Sequence, residues 1–405
     1  AARRSAKPVA RQQPESRASV PRKLFLPLAI LWLAGMGLRL TVLAVPPVIP
    51  LIHADLQMSE TEVGTLGSLP SLLFALAAVP GSLLIARMGA VPTLIAGLVL
   101  TALASAARGA ADGVATLYFA TVAMGAGIAI MQPALPPLVR AWCPKRIGFG
   151  TAVYTNGLLV GETLPVALTL PFVLPILGGS WRWSFVVWAV PVLATAFLVL
   201  ALAPRDVHPR LGPRRRWWPD WKNPLVWRLA FMMGGVNTAY FATNTFLPDY
   251  LHATGNGQWI SAALTSLNFC QLPLSFAMLA LAEKLVRRHA AYIVLAALVL
   301  ASAAGLAFMP GVWSVVWAGV LGGANSAMLV LMLALPPLLA GHDDVHRVTA
   351  AMFTISYPTA VIFPILAGFA WDATGWPAFA FVPAAIAAVV IIALTPTIDF
   401  HRSAG

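Results

Sequence analysis

Apolar runs too long for a soluble core dominate this chain. Broken at charges, Gly/Pro pairs and polar clusters, twelve of them follow one another: 24–52, 61–86, 91–109, 114–139, 147–177, 181–203, 228–251, 259–283, 289–309, 312–339, 348–371 and 376–396. A helix needs about 20 apolar residues to cross a bilayer, so each run is read as one transmembrane helix. Several are near 28 residues, which implies tilt or bending. Composition agrees: 59% of the 405 residues are hydrophobic and 10% charged, against about 25% charged in a soluble domain. A soluble enzyme and a disordered chain are both excluded. Two cysteines and seven histidines show no metal-ligand spacing, and no nucleophile–base pair or nucleotide loop is found. No enzyme, cofactor or metal is expected.

The net charge of +12 would suggest nucleic acid in a soluble chain. Its placement says otherwise. With the N-terminus inside, 23 of the 26 Lys and Arg residues fall on one side, in the tails and alternate loops; Arg39, Arg108 and Arg182 do not. Basic residues collect on the cytoplasmic face of membrane proteins, so both termini are expected there, in a bacterial inner membrane, with the lipid bilayer and not nucleic acid as partner. Residues 1–23 read as a disordered basic tail, and the apolar run after it is too long for a cleaved leader. The most charged connector, 204–227, separates a bundle of six helices at 24–203 from another at 228–396, leaving a short tail at 397–405. Arg214–Arg216 with Trp217, Trp218 and Trp221 suit the headgroup level.

Charged groups deep in a bilayer are costly and mark function by default. At about 1.5 Å per residue, Arg39 lies roughly 24 Å from Lys23 and 21 Å from His53, near the midplane. Glu162 sits at the same depth in the fifth run, sixteen residues from both Arg146 and Gly178. Arg108, Asp112, Asp249, Glu283 and Asp372 fall at run ends. Two readings stay open: a buried ion pair between Arg39 and Glu162, or an anion-binding Arg39 with Glu162 carrying a proton. Arginine suits an anion because its planar fork donates parallel hydrogen bonds and stays charged. Trp32 shares a helical face with Arg39, while Pro46, Pro47 and Pro50 must bend or break that helix. Opposite lie neutral groups: Gln132 in the fourth run, Asn237, Tyr240 and Asn244 in the seventh, Asn268 and Gln271 in the eighth, Asn325 and Ser326 in the tenth, Thr354, Ser356 and Tyr357 in the eleventh. These are cavity lining or interhelical hydrogen bonds.

Two sets of six helices around a basic middle loop resemble the major facilitator superfamily: an all-α integral membrane fold of 12 transmembrane helices in two six-helix pseudo-symmetric halves. Arg87-Met88-Gly89 is similar to the end of its gating loop, with Ala86 where that motif carries aspartate. Within the superfamily the chain resembles the cyanate permease and 2-nitroimidazole transporter family. The matching stretches are Gly37-Leu38-Arg39 with Pro46, Gly125-Ala126-Gly127-Ile128-Ala129 with Leu135-Pro136, Gly148 to Thr155, Phe246-Leu247-Pro248, and Trp371 to Trp376. Gln132 replaces the usual Asn, and Ile355-Ser356 stand where a Gln and Gly are usual. The resemblance implies that Arg39 contacts substrate and that Tyr154 lies nearby.

Together these readings predict a monomeric secondary transporter moving a small anion or weakly acidic solute by alternating access, with proton coupling. The substrate site is expected at Arg39, Trp32, Gln132, Tyr154, Tyr240, Asn244, Asn237, Gln271 and Tyr357. Glu162 is the expected proton carrier, and Arg87 and Gly89 the gating loop. The alternative is a drug or xenobiotic efflux transporter of the same fold, favoured by the 14 Trp and 19 Phe residues.

Overall fold

A computed structural model describes residues 22–58, 60–204, 217–341 and 344–400. The tail as far as residue 21, Arg205 to Arg216 of the connector, and Arg402 lie outside the described residues. Every regular element among the described residues is helical.

The first position is a broken segment. Helix α1 (Arg22–Gly37) gives way to turns as far as Val45, a 3₁₀ turn at Pro46–Val48 and α2 (Ile49–Leu56). Then come α3 (Glu60–Met88) and α4 (Ala90–Arg108). Helix α5 (Val114–Met131) passes through a 3₁₀ turn at Gln132–Ala134 into α6 (Leu135–Trp142). Helix α7 (Ile147–Leu168) widens at Thr169–Val173 before the short α8 (Leu174–Ile176), and α9 (Trp181–Leu202) follows. After the connector come α10 (Pro224–Ala253), α11 (Ile260–Phe269) running into α12 (Gln271–Leu285), α13 (His289–Phe308), α14 (Val312–Leu339), α15 (Val345–Thr374) and α16 (Val382–Leu394).

Nine helices among the described residues are long and apolar enough to cross a membrane. At the first position α1 stops at Gly37; at the second α3 runs unbroken over 29 residues; at the seventh α10 carries Asn237, Tyr240, Asn244, Asp249 and His252 over its 30 residues. Phe119, Ile176 and Phe369 are over 70% exposed, an apolar surface that belongs against lipid.

Some expected boundaries move. The connector is shorter than 204–227, because Asn223 caps α10 by accepting from the Leu225 amide at 3.0 Å and Pro224 takes the first helical position. Residues 397–400 are docked, not a free tail. Phe400 is buried, its ring stacked on Tyr292 at 4.8 Å, and its carbonyl accepts from Arg287 Nη1 at 2.6 Å.

Helices α1–α9 and α10–α16 form two groups, which meet where α3, α6 and α7 pack against α12, α14 and α15. At the end carrying the basic loops, hydrogen bonds to backbone tie the groups together. Arg140 Nη1 donates to the Ala340 carbonyl, and Glu283 accepts from the Phe149 amide at 3.1 Å near the start of α7. Arg347 Nε donates to the Trp218 carbonyl at 2.7 Å and Ser82 to that of Trp217 at 2.7 Å. At the opposite end, Arg182 pairs with Asp55, which also accepts from Trp181 Nε1 at 3.2 Å. The Arg182 hydrogen bond holds the Asp55 carboxyl below its ordinary range. A depressed carboxylate adds stability above its unfolded value near 3.9 and loses it as pH falls through the lower folded value. This contact is therefore intact at neutral pH.

The α1–α7 crossing places the deep charges. A Cβ on Gly157 would lie 2.1 Å from the Trp32 carbonyl oxygen, and one on Gly35 would lie 2.0 Å from that of Tyr154. Only backbone against backbone fits, which sets Glu162 beside the point where α1 breaks. Gly157→Ala should therefore force the helices apart, at the 1–3 kcal/mol cost typical of overpacking, roughly. A drop in the melting temperature of purified protein would show it. Gly257→Ala, with neighbours no nearer than 3.8 Å, should leave the melting temperature in place.

Candidate functional site

A cavity of about 300 Å³ lies between the two groups of helices. Its wall begins with the unwound segment of the first position. Arg39 stands two residues past the end of α1, where Leu38 and Arg39 donate to Gly35 and Met36, and Val42 and Leu43 share the Arg39 carbonyl. Three prolines close by, Pro46, Pro47 and Pro50, keep the ladder from resuming at once. Arg39 lies with its guanidinium carbon 5.3 Å from the centre of the Phe74 ring, a cation–π arrangement. Its charge also acts on Tyr357, Glu162 and Tyr240.

Arg39 and Glu162 line the same cavity, yet the two ion pairs found among the described residues are Arg182–Asp55 and Arg347–Asp344. The contact ion-pair reading of Arg39 and Glu162 is therefore replaced. Glu162 Oε1 instead accepts from the Tyr240 hydroxyl at 3.0 Å, which reaches Asn268 Oδ1 at 2.6 Å as well. Asn268 Nδ2 donates to Asn244 Oδ1 at 3.0 Å and to the Leu264 carbonyl at 2.9 Å, and Asn244 Nδ2 donates to the Tyr240 carbonyl at 3.1 Å. One carboxyl thus ties α7 to a polar network on α10 and α11. A second cavity of about 440 Å³ shares Glu162, Tyr240, Asn244 and Gln271 with the first.

On the other flank Gln132 Nε2 donates to the Tyr357 hydroxyl at 3.0 Å, joining the α5–α6 junction to α15. Gln132 points inward because Pro133 and Pro136 turn the chain into a 3₁₀ segment there. Asn237 Nδ2 donates to Ser356 Oγ at 3.2 Å, and Ser326 Oγ donates to the Gln271 carbonyl at 3.2 Å.

Arg39, Gln132, Asn237, Tyr240, Asn244, Gln271 and Tyr357 of the expected substrate residues come together on this wall, with Glu162. Trp32 and Tyr154 are not on it. Trp32 Nε1 donates to Asn156 Oδ1 at 2.9 Å, and Asn156 Nδ2 passes the chain to Ser275 on α12 at 3.0 Å. This bridge crosses between the helix groups behind the cavity. Tyr154 is buried against α1, and its hydroxyl has no partner among the described residues. The position in the fifth run is close, but the side chain turns away from the cavity. Arg87 is exposed at the end of α3, and Gly89, at φ 93°, starts the turn into α4.

Arg108 is the functional candidate that sequence reasoning missed. It occupies the last turn of α4, where a long side chain is expected to reach water. Here it is completely buried and lines the cavity. Its Nη2 donates to the Thr41 carbonyl and to Ser105 Oγ, both at 2.8 Å, and its guanidinium carbon sits 4.3 Å from the centre of the Phe185 ring. The covering comes from α9, whose Arg182 carbonyl would lie 2.4 Å from a Cβ on Gly109. No single-helix pattern contains that neighbour.

A membrane transport protein is the class that this geometry fits: helices long enough to span and, between two helix groups, a cavity whose largely apolar wall carries Arg39, Arg108, Glu162 and several amides. Residues 31–357 match the sequence pattern of the Major Facilitator Superfamily, and the chain belongs to that family. It is 26% identical over 348 residues to the 2-nitroimidazole transporter of Escherichia coli K12, covering 84% of this chain and 86% of that one. With the cyanate transport protein CynX of the same organism it shares 24% identity over 348 residues, covering 84% and 88%. The fold is that of the transporter FucP in its outward conformation, with a TM-score of 0.75 at 16% identity over 93% of this chain and 99% of that one.

The polar network makes a direct prediction. Tyr240→Phe removes the hydroxyl that lies between Glu162 and Asn268, and should lower the melting temperature by an amount worth about 1–3 kcal/mol for the acceptor left unpaired. Tyr154→Phe, which loses an unpartnered hydroxyl, should melt at or above the wild-type temperature.

Proposed function

We propose that this protein carries a small anion or weakly acidic solute across a bacterial inner membrane by alternating access, coupled to protons through Glu162. The observation that carries the reading is the charge on the cavity wall: Arg39 and Arg108 against the single carboxyl of Glu162. An uncompensated guanidinium in a low-dielectric site favours an anionic ligand, since its own desolvation is repaid only by close, hydrogen-bonded negative charge. Neutral donors and acceptors from α10, α12 and α15, such as Asn237, Gln271 and Tyr357, would complete the shell. The names of the relatives, a transporter of 2-nitroimidazole and one of cyanate, point to small, weakly polar or anionic solutes. Phe74, Phe241 and Phe353 on the same wall suit a flat apolar part of such a solute.

In the proposed cycle the basic-loop end, closed here by Arg140 and Glu283, is the cytoplasmic gate, and both termini lie on that side. The protein is proposed to act as a monomer. Glu162 shares the cavity with Arg39 of the unwound segment and accepts from the Tyr240 hydroxyl of α10.

Uptake into proteoliposomes tests this with labelled cyanate, 2-nitroimidazole and simple carboxylates. Arg39→Ala should reduce saturable uptake at least tenfold in protein that still elutes as a folded monomer. Retained uptake would end the anion-site reading. Glu162→Gln should abolish accumulation driven by a pH gradient while leaving exchange of labelled for unlabelled solute intact. Equal loss of both activities would remove the proton role.

A further inference from the structure

We propose that the second cavity is a side port to the bilayer, through which the solute enters as a small uncharged molecule carrying an N–H or O–H donor. This rests on the reading of the first cavity as a solute site and goes beyond it by fixing the route and the form in which the solute arrives.

Helix α7 changes its surroundings at Glu162. From Ile147 to Gly161 nearly every residue is buried, with α1, α12 and α14 packed around the helix. Past Glu162 the cover on one side ends: Val166 is 48% exposed, and Leu170, Phe172 and Ile176 are exposed beyond it. Val166 stands about 6 Å along the helix from Glu162, still within the hydrocarbon layer. The other edge of the gap is α11, where Phe269 is 60% exposed. Phe269 lies on the same helical face as Phe276, two turns on where α11 runs into α12. Phe276 is exposed as well, although it is only seven residues from Glu283, which bonds to α7 at the closed end. Water in a cleft open at the opposite end does not reach that depth, so this apolar face belongs against lipid.

The second cavity, of about 440 Å³, lies between these two edges. Val166, Leu264, Phe269 and Leu272 line it without lining the first cavity, and all four are apolar. Thr163 is placed likewise, but its hydroxyl is taken by the Leu159 carbonyl at 2.9 Å. The polar end is formed by Glu162, Tyr240, Asn244 and Asn268, and the first three of these also face the first cavity. An apolar mouth with a polar end suits a molecule that dissolves in lipid and carries one polar group. An ion would lose its hydration on that path, at a cost that a neutral molecule largely escapes. Glu162 Oε1 accepts from the Tyr240 hydroxyl, while its other carboxyl oxygen accepts nothing among the described residues. A free acceptor at the end of an apolar path selects a donor. The neutral, protonated form of a weak acid is therefore the form that fits, and passing Glu162 and Tyr240 brings it into the first cavity.

The test is photolabelling of the full-length protein in phosphatidylcholine vesicles, read residue by residue by mass spectrometry. The probes are a benzyl alcohol bearing a trifluoromethyldiazirine, which is uncharged and lipid-soluble with an O–H donor, its methyl ether, which lacks the donor, and the matching benzoate, which is an anion. The alcohol is expected to label Val166, Leu264, Thr265 and Phe269, at least threefold more than the ether does and fivefold more than the benzoate. The lipid-facing Phe172 and Phe276 should take up alcohol and ether alike. Label confined to Phe172 and Phe276 overturns the port. Benzoate labelling of the four wall residues as strong as that by the alcohol also overturns it, since the cavity would then open to water. Equal labelling of the wall by alcohol and ether removes the donor requirement and with it the proposed form of the solute. Filling the mouth with Val166→Trp and Thr265→Trp together should cut labelling of Leu264 and Phe269 at least fivefold, with Phe172 unchanged. For whichever solute the wild type accumulates, the initial rate should fall at least fivefold in that double variant, and an unchanged rate overturns the route. If the variant does not fold, the three probes on wild type decide alone. Loss of the anion-site reading in Arg39→Ala would leave the labelling pattern in place, whereas an unlabelled cavity wall ends the port and leaves the first cavity standing.

Discussion

Backbone that leaves the helical ladder inside a bilayer must find its hydrogen bonds in protein. The segment from Leu38 to Val45 is where this chain meets that constraint, and the cavity depends on how it is met. Part of the answer is local, in the short turns that share the Met36, Arg39 and Val42 carbonyls. Part is supplied from α4, by Arg108 on the Thr41 carbonyl. Helix α1, just before the irregular stretch, is held against α7 by glycine contacts that leave no room for a side chain. With these fixed, Arg39 has a defined position facing Phe74 and Glu162. Without them, an arginine on a flexible segment would lose the pre-organisation that makes binding specific.

The fold was largely legible because the bilayer imposes a length and a hydropathy on every helix. Runs such as 181–203 and 312–339 reappear within a residue or so as helices. Where legibility failed, the cause was a neighbour outside the helix being read. Asn223 and Pro224 carry ordinary capping chemistry, yet they sit in a charged connector and were assigned to it. Phe400 looked like part of a tail because its stacking partner, Tyr292, lies far away in sequence. Tyr154 shares a helix with Glu162, but facing is decided by the α1–α7 crossing, and that crossing is set by Gly35 and Gly157.

The site shows the same division. Depth along a helix singled out Arg39 and Glu162, because distance to either surface can be counted in residues. That count assumes a straight helix, an assumption that ends at Gly37. Arg108 escaped because position at a helix end is not the same as access to water. Phe185, Thr41 and Ser105 close over it, and burial of this sort is a property of packing. The pairing of Arg39 with Glu162 was the natural guess from depth alone. Tyr240, itself in contact with Asn268, holds the carboxyl in another way, and no spacing in the sequence brings α7, α10 and α11 together.

The distribution of charge between the helix groups bears on how such a cavity could open and close. The two arginines and the carboxyl on its wall, Arg39, Arg108 and Glu162, come from α1–α7, while the opposing helices offer amides and hydroxyls. Separating opposite charges across a low-dielectric gap costs several kcal/mol. Exchanging neutral hydrogen bonds such as Gln132–Tyr357 or Asn156–Ser275 costs about 1 kcal/mol each. In the proposed cycle, then, the two groups can part without dividing an ion pair. A solute held by charge on one group and by neutral bonds on the other would stay with the charged group as the bundle rocks. On the cavity wall, the Tyr240 contact to Glu162 holds a charge-bearing group across the interface. Protonation there changes a bond that the moving groups must break, which gives a proton a physical means of biasing the motion.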